Sequence, residues 1–211
     1  AIIMTILNLP LYLIMRKLIS KICYYLFTFP RYKFLFAQIG TSSRLKNPRI
    51  DGFKNIRIGN KVFIEQGTWL AALPLMQAND CKLIIKDGTY IGRFGHIFAT
   101  ASIEIEEMVL IADKVYISDN LHSFDNIQLP VISQPVKQLK QVKIGAGAWI
   151  GENACIIGAS VGKNSVVGAN AVVTKDIPDF CVATGIPAII IKKYNFETKQ
   201  WHKTNSEGNF I

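Results

Sequence analysis

Acid–base chemistry in this chain has to come from few groups, because only three histidines are present. His122 stands in Ile117-Ser118-Asp119-Asn120-Leu121-His122-Ser123-Phe124-Asp125-Asn126, where an aliphatic stretch gives way to polar sequence with a carboxylate three residues to either side. An imidazole titrates near neutral pH, so one oriented by a carboxylate can take the proton from a weak nucleophile such as a hydroxyl as it attacks. Asp119 is the expected orienting partner, with Asp125 in reserve; the plain alternative is that these polar residues cap a turn. His96, just before the apolar Ile97, is a secondary candidate expected to face outward or into a groove between subunits. His202, beside Trp201, reads as a surface residue. Zinc chemistry would need about three convergent histidines, and too few stand at plausible positions. Cys23, Cys81, Cys155 and Cys181 form no CxxC pair and read as reduced thiols, with Cys155 packed inside the fold as a small hydrophobe.

The elements that must hold these groups are written in a six-residue rhythm. Aliphatic residues recur as Ile58-Ile64-Leu70, Ile85-Ile91-Ile97-Ile103, Ile105-Ile111-Ile117, Ile144-Ile150-Ile156 and Val161-Val167-Val173. A helix turns about 100° per residue, so positions six apart would sit about 240° apart and could not share a core. Strand geometry returns an even spacing to one face, and a six-residue period is the signature of a parallel β-helix of short strands and turns. Thr89, Gly95, Ala101, Ala148, Ala154, Ser165 and Ala171, four places after each aliphatic, are small enough for a tight corner. An ordinary β-sandwich has no such fixed period. The expected fold is therefore all-β, a single solenoid over residues 46–193.

Two excursions interrupt the rhythm, at 71–80 and at about 119–141, and excursions from a rigid solenoid favour binding and catalysis. Residues 1–45 differ from the rest: an apolar run to Met15 broken by Pro10, then Arg16, Lys17 and Lys21, then the aromatic Tyr24–Phe29 stretch. The first apolar run is shorter than the roughly 20 residues a spanning helix needs. Such a segment suits either a helix in a membrane interface or a cap on the solenoid end or a sister subunit, and the sequence leaves both open. Residues 194–211 form a polar tail with Trp201 as its anchor, expected to be flexible or docked on a neighbour. The formal charge of +9 suits anionic partners, but no nucleic-acid-binding motif accompanies it. Without a secretory cleavage pattern, the expected location is cytoplasmic, with peripheral contact at the inner face of the membrane if the N-terminal segment binds lipid.

Together the coils, the Ser118-Asp119-Asn120-Leu121-His122 junction, Ile144-Gly145-Ala146-Gly147-Ala148-Trp149-Ile150-Gly151, Val167-Gly168-Ala169-Asn170-Ala171-Val172-Val173-Thr174-Lys175-Asp176-Ile177-Pro178 and the closing Gly185-Ile186-Pro187-Ala188 resemble the hexapeptide-repeat acyltransferase family over about residues 50–193. Within that family the chain looks most like the sugar O-acetyltransferases of bacterial surface polysaccharide synthesis. The resemblance implies a left-handed β-helix, a homotrimer, acetyl-CoA in the groove between neighbouring helices, and direct transfer to a sugar hydroxyl with His122 as base and no metal. It places Trp149 beside the pantetheine arm, the Ala169 amide against it, Thr174 and Lys175 near the nucleotide end, and Lys192 and Lys193 at its phosphates, with Gly151 a further donor-binding residue. Asn120, Asp125 and His96 are the expected acceptor contacts. The asparagine that meets acceptor sugars in some relatives has no counterpart at the spacing around His96, and the repeat loses one residue between Ile156 and Val161. Two other readings remain: an amine on a nucleotide sugar as acceptor, and a noncatalytic β-helix scaffold at the membrane.

Overall fold

Three strands per turn, each pairing with its equivalent one coil away, build a left-handed parallel β-helix with three flat faces. The computed structural model describes residues 11–74, 80–205 and 208–211. The first face holds Gln38–Ile39, Ile56–Ile58, Lys82–Ile85, Ser102–Ile105 and Val142–Ile144. The second runs through Arg44–Leu45, Phe63–Ile64, Tyr90–Ile91, Leu110–Ile111, Trp149–Ile150, Val166–Val167 and Cys181–Thr184. The third holds Arg49–Asp51, Trp69–Ala72, His96–Ala99, Tyr116–Ser118, Cys155–Ile157 and Val172–Val173.

Register explains the sequence rhythm. Ile58, Ile85, Ile105 and Ile144 stack on the first face; Ile64, Ile91, Ile111, Ile150 and Val167 on the second; Leu70, Ile97, Ile117, Ile156 and Val173 on the third. All are buried at or near zero exposure. Each step of six moves the chain from one face to the next, and each aliphatic meets its own kind directly above and below. Fully burying such a side chain stabilises by about 1.5–3 kcal/mol. Corners use left-handed backbone, which asparagine tolerates at Asn153, Asn164 and Asn170. At Gly151 the coils approach so closely that a Cβ would lie 2.5 Å from the Ala169 nitrogen.

Both excursions leave from the corner between the third and first faces. The first starts later than expected, because Ala71 and Ala72 are buried strand residues; 75–79 lie outside the described residues. The second is a hairpin of Asn120–His122 paired antiparallel with Val136–Gln138. Two further expectations are corrected. Cys155 faces outward on the third face between Tyr116 and Val172, half-buried, because it precedes the inward Ile156. The tail beyond Lys193 is ordered on its own chain over the paired strands: Ile189–Asn195 turns back antiparallel on Cys181–Thr184, and Gln200–Lys203 pairs with it to extend the second face.

At the other end, helix α1 (Leu11–Cys23) passes through a π-helical turn, Tyr24–Thr28, into α2 (Phe29–Leu35), whose first turn carries Pro30. Tyr24 is buried; its hydroxyl accepts the Leu45 amide at 3.1 Å, and burial raises its pKa to about 12. Tyr24, Phe29, Tyr32, Phe36 and Phe53 form an edge-packed aromatic lid over the first coil. Ala1–Pro10 lie outside the described residues.

Candidate functional site

His122 ends the outgoing strand of the hairpin, opposite Val136, with its side chain exposed. The hairpin's base is fixed from below. Asp119 is wholly buried, and its carboxylate accepts the amides of Thr100, Ala101 and Ser102 and the Thr100 hydroxyl, all at 2.8 Å. The Asn120 amide adds a donor at 3.2 Å. The structure does not bring Asp119 to His122: its oxygens are filled by donors from the preceding coil's corner, which leaves it the anchor of the hairpin. Gln138 closes the same base, its amide donating to the Asp119 carbonyl at 2.8 Å. Asn120, also buried, donates to the Phe98 carbonyl at 3.2 Å. Asp125 is exposed, and its carboxylate lies 3.7 Å from the Lys137 ammonium across the hairpin.

His96 lies on the third face in a row that runs Arg49, Trp69, His96, Tyr116 through successive coils. Its ring stacks on Trp69 at 4.2 Å between centroids and 6° between planes. The Arg49 guanidinium covers the other face of Trp69 at 4.1 Å, and the Trp69 indole N–H donates to Asp51 at 2.7 Å. Burial, then the Arg49 charge, holds the His96 pKa below its ordinary value. Its Nε2 is buried without a hydrogen-bond partner. Sequence reasoning missed this row, although the signal was present: Trp69 and His96 each precede an inward aliphatic in consecutive coils, so register must stack them.

The residues expected at the acyl donor fall into two groups. Trp149, 49% exposed, stands in an outward row on the second face with Val166, Val182 and Lys192. At about 4.8 Å per strand, Lys192 lies roughly 14 Å along from Trp149. Gly151 and Ala169 follow at the corner between the second and third faces. Thr174 and Lys175 belong instead to the corner between the third and first faces, two coils from the His122 hairpin, where they border a cavity of about 240 Å³ with Pro187 and Ile189. Lys193 alternates away from Lys192 and is half-buried opposite Cys181 and His202. On one copy, the whole third face separates the two groups. Among the described residues no three His, Cys, Asp or Glu side chains converge as metal ligands.

The β-helix with a histidine hairpin at one corner defines a class, and the comparisons with known proteins place the chain within it. A family pattern described as the hexapeptide repeat of succinyl-transferase matches residues 141–175. A maltose O-acetyltransferase of Clostridium difficile 630 is 30% identical with a TM-score of 0.52, covering 77% of this chain and 72% of its own. The putative lipopolysaccharide biosynthesis O-acetyl transferase WbbJ of Escherichia coli K12 is 41% identical over 57% of this chain and 65% of its own length. AntD, an N-acyltransferase of Bacillus cereus crystallised with dTDP-4-amino-4,6-dideoxyglucose and coenzyme A, superposes with a TM-score of 0.67 at 20% identity, a likeness of fold alone. The chain belongs to the hexapeptide-repeat acyltransferase family. It spans less than two thirds of the length of the curated relatives it matches.

Proposed function

We propose that this chain is an acetyl-CoA-dependent O-acetyltransferase that modifies a sugar hydroxyl of a capsule, exopolysaccharide or O-antigen precursor, working as a homotrimer with sites between neighbouring copies. The observation that carries the reading is the division of the donor residues. Trp149 and Lys192 form one outward row, while His122, Thr174 and Lys175 share a corner across the third face. One copy offers an apolar row ending in a cation; a second supplies the base and another cation. That fits a donor with a long apolar arm and phosphates, because ammonium groups bind phosphates and an indole face suits an aliphatic arm.

In this reading the donor supplies an activated thioester carbonyl. His122 takes the proton from the acceptor hydroxyl as that oxygen forms its bond to the carbonyl carbon. When the C–S bond breaks, the imidazolium returns the proton to the departing sulfur, leaving the base as it began. Asp119 holds the hairpin, and through it the imidazole, against the rigid coils. A positioned base contributes about 10²–10⁴-fold, and alignment of both substrates contributes the rest.

The test is release of free thiol from acetyl-CoA by the purified chain across a panel of sugar acceptors, alongside calorimetric donor binding and sedimentation analysis. Acceptor-dependent release that His122→Ala abolishes while donor binding survives supports the reading. A folded protein that binds no acetyl-CoA sinks it and favours the scaffold.

A further inference from the structure

The charge of this chain is not spread evenly. Of its 24 Lys and Arg residues, eight fall within residues 1–50, and all 15 Asp and Glu residues come later, so residues 51–211 carry only +1 of the total +9. Lys46 and Arg49 pair with Glu65 and Asp51. Among the described residues, the exposed Arg16, Lys21, Arg31 and Lys33 make no ion pair.

The same segment carries an apolar surface that the β-helix does not cover. On α1, Met15, Leu18, Ile19 and Ile22 fall within an arc of about 100°, set by the helical turn of 100° per residue. Ser20 lies about 150° from the middle of that arc, and its hydroxyl accepts the Arg44 guanidinium at 3.3 Å. The polar side of α1 therefore faces the first coils and its apolar side faces away. Leu18 is 57% exposed and Ile22 48%, and the surface continues at Leu26, which borders the same hollow as Leu18 and Ile22. Tyr24 and Phe36, by contrast, are turned into the lid. Capping the solenoid thus accounts for Tyr24, Phe29, Tyr32 and Phe36 and leaves the apolar arc of α1 unexplained.

We propose that this surface docks on an anionic phospholipid bilayer, with α1 lying in the plane of the interface. The thirteen-residue α1 is about 20 Å long, and no described helix is long and apolar enough to cross a membrane. Leu18, Ile19, Ile22 and Leu26 enter the acyl boundary; Arg16, Lys21, Arg31 and Lys33 meet the headgroups, their aliphatic stems bridging the two zones. A second copy is a poor occupant of the same surface, because face-to-face pairing would bring unpaired cations together, whereas anionic headgroups neutralise them. The inference does not depend on acyl transfer.

Co-sedimentation of the full chain with vesicles of phosphatidylcholine, alone or mixed with phosphatidylglycerol, tests it. The protein should pellet with the mixed vesicles only, and added salt should release it. Arg16→Gln with Lys21→Gln should weaken binding about 25-fold, at about fivefold per cation. Leu18→Glu with Ile22→Glu should abolish it without changing the circular dichroism spectrum or sedimentation coefficient. Failure of the wild type to pellet with mixed vesicles overturns the proposal. So does a Leu18→Glu/Ile22→Glu variant that changes oligomeric state yet still binds vesicles, which would assign the face to a protein partner.

Discussion

Asp119 and Thr100 are joined twice: one carboxylate oxygen of Asp119 accepts both the backbone amide and the hydroxyl of Thr100, each at 2.8 Å. The other oxygen holds the amides of Ala101 and Ser102. A buried carboxylate with this many donors is a structural anchor, since each charge-assisted bond contributes about 1.5–3 kcal/mol. Asp119→Asn turns an NH2 group toward backbone amides that need an acceptor. It should cost about 3 kcal/mol and lower Tm by about 6–12 °C. An unchanged Tm with a large fall in kcat would instead make Asp119 a direct partner of His122.

That contrast marks how far the sequence could be read. The six-residue period settles inward positions, because a strand's alternation is local and stacking simply repeats it. The fate of Asp119 is not local: its partners lie 17–19 residues earlier, one coil away, and no spacing rule separates an imidazole three residues on from an amide in the preceding coil. Lys192 was equally hidden, because its place in line with Trp149 depends on the chain reversing after Pro187 to add an antiparallel strand. His96 and Trp69 were legible in principle, since both sit one residue before an inward aliphatic.

The His96–Trp69 stack should make stability depend on pH. Burial first, and Arg49 second, lower the folded pKa of His96 beneath the unfolded value of about 6.5. The folded chain then binds fewer protons than the unfolded one between those values. Stability is whole above about 6.5 and declines as pH falls toward the folded pKa. His96→Phe keeps an aromatic ring against Trp69 and removes the titration, so its Tm should be flatter across that window. Equal slopes for the variant and the wild type would exclude His96 as the source.

A second titration lies lower. Glu106 accepts Lys143 at 2.8 Å and the Ala146 amide at 2.9 Å, and these bonds hold its carboxyl below the usual range against the opposing effect of burial. Its contribution is present above the unfolded pKa of about 4.3 and is lost as pH falls through the lower folded value. Glu106→Gln should lower Tm at pH 7 and make the acid limb of the Tm curve shallower. A variant curve parallel to the wild type down to pH 3 would count against the assignment.

The arrangement of the proposed donor residues gives the sharpest test of a site between copies. Trp149 on the second face and Lys175 at the far corner are separated on one copy by a full face of about six residues, roughly 20 Å. Two prisms side by side would bring the second face of one and the far corner of the other to a single groove. His122→Ala should lose transfer about 10²–10⁴-fold while binding donor, and Trp149→Ala should bind donor weakly. If each site takes His122 from one copy and Trp149 from its neighbour, a trimer assembled from equal amounts of the two variants contains intact sites. In a closed ring with random assembly, about one site in four is intact, so activity should return to about a quarter of wild type. If each site belongs to one copy, every site carries one lesion and mixing restores nothing. Unfolding and refolding the two variants together, then measuring thiol release, separates these outcomes, with each variant refolded alone as its control.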